Sequence, residues 1–65
     1  MRYDKFKDLK LNNQGFMPCV IISTGEEGRI FEINRRRGEL YVVARRHGYA
    51  DKQHQWFSYI EIETW

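Results

Sequence analysis

The stretch from Gly25 to Ala44 constrains this chain most: a glycine-bounded strand, a three-arginine turn and a second strand follow one another without a break. Asn34 suits the start of a type I turn and Gly38 the left-handed position that closes it, so the segment between them predicts a tight β-hairpin. In the second strand Leu40, Val42 and Ala44 share the face expected to point to the core, and Tyr41, Val43 and Arg45 share the other. In the first strand Ile30 looks inward, whereas Phe31 and Ile33 interrupt simple alternation. A bulge or a strong twist accounts for that interruption, and small barrels need such bends.

The remaining segments fit around this hairpin. Cys19-Val20-Ile21-Ile22 is a short β-branched run bounded by turn formers, as expected of a buried strand, with Pro18 at its start where a missing amide donor does least harm. Asn12-Asn13-Gln14-Gly15 predicts a turn, because Asn and Gly tolerate positive φ. Tyr3, Phe6 and Leu9 would share a face of a short helix, and Leu9 and Leu11 a face of a strand, so residues 1–18 read as an irregular or one-to-two-turn helical lead-in. Arg46 to Gln55 lacks aliphatic periodicity and reads as a surface loop. Trp56 to Glu63 returns to alternation as the last strand. The expected fold is mainly β: a small, partly open barrel of about five antiparallel strands over residues 19–63, preceded by the lead-in.

At 65 residues the chain is one domain, near the size below which a single core struggles to hold itself together. Its four Phe, four Tyr and two Trp supply the burial that independent folding requires, as a monomer or as a homodimer sharing core surface. No apolar run is long enough to cross a bilayer and the start, Met1-Arg2-Tyr3-Asp4, has no signal-peptide character, so a cytoplasmic address is expected. The single Cys19 cannot form an internal disulfide and reads as a small buried hydrophobe.

The formal net charge of +2 hides an uneven distribution. Charges cancel over residues 1–28. Residues 29–52 then carry Arg29, Arg35, Arg36, Arg37, Arg45, Arg46 and Lys52 against Glu32, Glu39 and Asp51, and Glu61 and Glu63 make the last segment acidic. A core has no use for three adjacent guanidiniums, which bind phosphate bidentately and suit a nucleic-acid backbone. Arg35, Arg36, Arg37, Arg45, Arg46 and Lys52 are therefore the expected cationic contacts, with Tyr41 and Tyr49 as candidates to stack on unpaired bases. Trp56 and Tyr59 could join them, although a domain this small needs its largest aromatics inside, which assigns Trp56 to the core first. Trp65 would fray or fold back onto the barrel wall. The bland alternative for the arginines is a solvated tip that discourages edge-to-edge aggregation.

Gly25-x-x-Gly28-x-Ile30-x-x-Ile33, after a β-branched strand, resembles the glycine-centred signature of KOW-type and related SH3-like small barrels. The resemblance implies a five-stranded, partly open barrel that serves as a contact platform, commonly for RNA, DNA or nucleic-acid machinery. The chain lacks the Ala-Leu-Tyr-Asp-Tyr-like run of peptide-binding SH3 domains, which argues against proline-rich ligands. The other expectation, from a different class, is a protein-interaction module or small inhibitor, of the kind compact bacterial or phage genomes encode, that docks its arginine-rich tip on an acidic protein.

Catalysis is not expected. His47 and His54 stand seven apart, with no metal-ligand spacing such as Cys-x-x-Cys or His-x-x-x-His, so neither metal nor cofactor is called for. Cys19 on an apolar strand would have its pKa raised rather than lowered, the opposite of an activated nucleophile.

Overall fold

The computed structural model describes residues 1–45 and 52–65, with Arg45, Lys52 and Gln53 described by backbone position. The expectations at Arg46, His47 and Tyr49, and for most of the loop they belong to, lie outside the described residues. Helix α1 (Tyr3–Lys7) precedes strands β1 (Met17–Ile21), β2 (Glu27–Asn34), β3 (Glu39–Arg45) and β4 (Lys52–Ser58). A 3₁₀ turn over Tyr59–Glu61 then leads into the short β5 (Ile62–Glu63). The strands form one antiparallel sheet in the order β4-β3-β2-β1-β5, curled into a half-barrel that is compatible with an SH3-like fold.

The turns form where Asn and Gly permit them. Gly15, Gly25 and Gly38 all adopt positive φ, and Gly38, at +66°, closes the β2–β3 hairpin while the Asn34 Oδ1 accepts the Arg37 amide at 3.2 Å. The Asn12 side chain accepts the amides of Gln14 and Phe16 in the same manner. The interrupted alternation of β2 is a β-bulge. Ile30 pairs with Val42 and Glu32 with Tyr41, so Phe31 is the extra residue, and the inward set Ile30 and Ile33 is preserved on either side of it. Gly28 serves the same curl at another point. A Cβ there would lie 3.0 Å from both the Val42 side chain and the Val43 carbonyl, so only glycine lets β2 and β3 approach this closely.

Leu40, Val42 and Ala44 are fully buried, with Ile30, Cys19, Ile21 and Ile62 against them. The lead-in completes this core. Met1, Phe6 and Leu9 are buried, Phe6 stacks on Tyr59 at 4.7 Å, and the Met1 backbone nitrogen donates to the carbonyls of Tyr59 and Ile62. Lys5 reaches the same end of the molecule, donating to the Glu63 carboxylate at 3.0 Å and the Thr64 carbonyl at 2.9 Å. The Thr64 amide and the Lys5 ammonium together hold the Glu63 carboxyl below its ordinary pKa.

The C-terminal third departs from expectation. Lys52–Gln55, expected in a loop, belong to β4, and the expected single strand over Trp56–Glu63 is broken by the 3₁₀ turn. Ser58 and Glu61 form a reciprocal capping box at that turn, and the Tyr59 amide donates to the Gly38 carbonyl at 2.9 Å. Because β4 places Phe57 opposite Leu40 and Trp56 opposite Tyr41, Phe57 packs on the core and Trp56, expected inside, is 41% exposed on the outer face. Ile22, expected in the first strand, lies beyond its end and is exposed.

Candidate nucleic-acid interface

The hairpin tip does not present three equivalent guanidiniums. Arg35 turns back onto the lead-in, where Nη1 donates to the carbonyls of Phe6 (2.6 Å) and Lys7 (2.8 Å) and Nη2 donates to that of Leu9. Its Cζ lies 5.9 Å from the Phe6 ring centroid. These carbonyls lie at and just beyond the C-terminal end of α1; that of Phe6 also accepts the Leu9 amide at 3.1 Å, and Arg35 adds charge-assisted bonds to all three. Arg36 and Arg37 remain exposed at the tip. Among the described residues the only ion pair is Lys5–Glu63, so neither tip arginine is neutralised by a described carboxylate.

Nor do all the expected cations converge. Arg45 pairs in register with Lys52 at the far end of the β3–β4 hairpin. That end is about 20 Å from the arginine tip, the length of β3 at roughly 3.3 Å per residue. The cationic positions thus form two groups, Arg36 with Arg37 and Arg45 with Lys52, while Arg35, also exposed, has its guanidinium engaged by the lead-in carbonyls.

Between the two groups runs the outer face of the sheet. Tyr41 and Trp56, directly opposite each other on β3 and β4, make an edge-on aromatic pair with centroids 5.2 Å apart, and His54 lies 6.3 Å from Tyr41. Period-two alternation explains their position: Leu40 and Val42 inside require Tyr41 outside. Tyr59, by contrast, is partly buried against Phe6 and is committed to packing.

Across β2 the outer face continues into a groove of about 610 Å³ lined by Phe16, Pro18, Glu27, Gly28, Arg29, Phe31, Val43 and Trp65. Arg29 sits over the Phe16 ring at 4.8 Å, and Phe16 and Phe31 lie 6.0 Å apart. Trp65 is 75% exposed at its rim. The sequence reading missed this groove. A signal existed, since the alternation that buries Ile30 must expose Arg29 and Glu27.

Cys19 is buried between β2 and β5, and its thiol pKa is pushed up to about 11 by that burial, partly offset by a hydrogen bond with the Gly28 backbone. No group of His, Cys, Asp and Glu among the described residues is arranged to hold a metal ion, and no described helix is long and apolar enough to cross a membrane. No protein family, no curated protein and no solved structure matches the chain.

Proposed function

We propose that this chain is a small non-enzymatic binding module that contacts single-stranded nucleic acid, RNA or DNA, through the outer face of its sheet and the Arg36–Arg37 tip. The observation that carries the reading is the outer-face pair of exposed Trp56 and half-buried Tyr41, flanked at one end by two arginines with no described acidic partner. Bases stack on such aromatics whatever their identity, and guanidiniums follow the phosphates between them. The separation of the tip from Arg45 and Lys52 by the length of β3 suits an extended strand lying along the sheet. A compact anion would meet only one of the two groups.

Labelled single- and double-stranded oligonucleotides, titrated at two ionic strengths, test this. Single strands bind, with affinity falling by a log–log slope of about 0.7 for each phosphate neutralised. The double variant Arg36→Ala/Arg37→Ala lowers that slope, and Trp56→Ala weakens binding by about 1–3 kcal/mol, the worth of one stacked base. Absence of binding at low salt overturns the reading.

A protein partner is the second reading, and one observation favours it: β4 lies at the edge of the sheet and carries the exposed Trp56. An extended segment of an acidic partner would add to that edge. Here oligonucleotides fail to bind, and wild-type bait, but not Trp56→Ala bait, enriches one protein.

A further inference from the structure

The groove beside β2 has a chemistry distinct from that of the Tyr41–Trp56 pair. Its walls are aromatic, from Phe16, Phe31 and Trp65, and its polar groups are one guanidinium and one carboxylate, Arg29 and Glu27, two residues apart on the same face of β2. Along a strand that spacing is about 7 Å, comparable with the long axis of a purine.

Charge narrows the occupant. A cation would have to compete with Arg29, whose guanidinium already occupies one face of Phe16, and a simple anion would be opposed by Glu27. What fits both is a neutral planar group with hydrogen-bond acceptors on one edge and donors on the next. Guanine alone among the bases presents the O6 and N7 acceptor pair beside the N1–H and N2–H donor pair. A guanidinium only donates and a carboxylate only accepts, so each side chain matches one edge and neither matches the mixed edges of adenine. Arg29 can keep its face on Phe16 while donating in its own plane.

We propose that this groove is a subsite for one unpaired guanine, stacked among Phe16, Phe31 and Trp65, with Arg29 on O6 and N7 and Glu27 on N1–H and N2–H. The proposal rests on the nucleic-acid reading above and adds base selectivity to it.

The test compares a short labelled oligouridine with the same strand carrying one central guanosine, adenosine or inosine, at fixed low salt. Guanosine tightens binding about tenfold or more over adenosine, the discrimination a good bidentate contact gives, and inosine, which lacks the 2-amino group, falls between. Glu27→Gln brings guanosine down to the level of inosine, and Arg29→Lys removes most of the remaining preference. Both variants keep their affinity for oligouridine, which verifies that the sheet is intact. Equal affinities of the wild type for the guanosine and adenosine strands overturn the subsite while leaving general binding in place. Failure of every strand, oligouridine included, overturns both.

Discussion

Three neighbouring arginines of identical chemistry have different roles because of where the hairpin points them. Arg35 gives three charge-assisted hydrogen bonds to the lead-in, so Arg35→Ala removes all three and leaves the carbonyl of Phe6 with the Leu9 amide alone. It is expected to cost about 1–3 kcal/mol in urea denaturation, whereas Arg36→Ala and Arg37→Ala stay within about 0.5 kcal/mol of wild type. Composition could not distinguish them, since the partner of Arg35 lies 26 to 29 positions away. Cys19 makes the second prediction at this scale. Its folded pKa is raised, so the neutral thiol contributes stability that is complete below the ordinary value near 9 and is lost as pH climbs to about 11. Urea melts across that window should show wild type losing about 2–3 kcal/mol more than Cys19→Ala. Equal losses would mean that the thiol ionises without unfolding cost.

The turns were legible in the sequence because Asn and Gly state their backbone requirements locally. Asn12 to Gly15, Gly25, and Asn34 to Gly38 all turn as expected. The central strands were legible because Leu40, Val42 and Ala44 alternate without interruption. The last third was not, since Trp56 to Glu63 also alternates on paper. What overrides the pattern is tertiary: Phe57 is drawn in opposite Leu40, and the Gly38 carbonyl captures the Tyr59 amide. One local sign was present, Ser58 three residues before Glu61, the spacing of a capping box. The groove escaped notice for a related reason, because Phe16, Arg29, Phe31 and Trp65 come together only through pairing and the end of the chain. Gly28 carries the prediction at the scale of elements. Gly28→Ala forces its methyl against the Val43 carbonyl, which belongs to a paired strand, and should destabilise by about 1–3 kcal/mol in thermal melts. Retention of the wild-type melting temperature would show that the two strands can separate at no cost.

The molecule as a whole is a sheet that closes its core with its own N-terminal segment. Phe6 is 1% exposed between the sheet and Tyr59, and Phe6→Ala is expected to cost about 3–5 kcal/mol. That approaches the entire stability of a domain this small, so the variant should lack a cooperative thermal transition at room temperature and above. A sharp transition would show that the half-barrel stands without its lead-in. The bulge at Phe31 has a consequence for how such a chain can vary. Removing that one residue would leave Ile30, Glu32 and Ile33 in unbroken alternation, so every side chain now inside would still be inside. Only the bend would go, and with it one wall of the groove. Shape and interior are therefore separately editable here, and a single codon lost at position 31 would flatten the ribbon without turning it inside out.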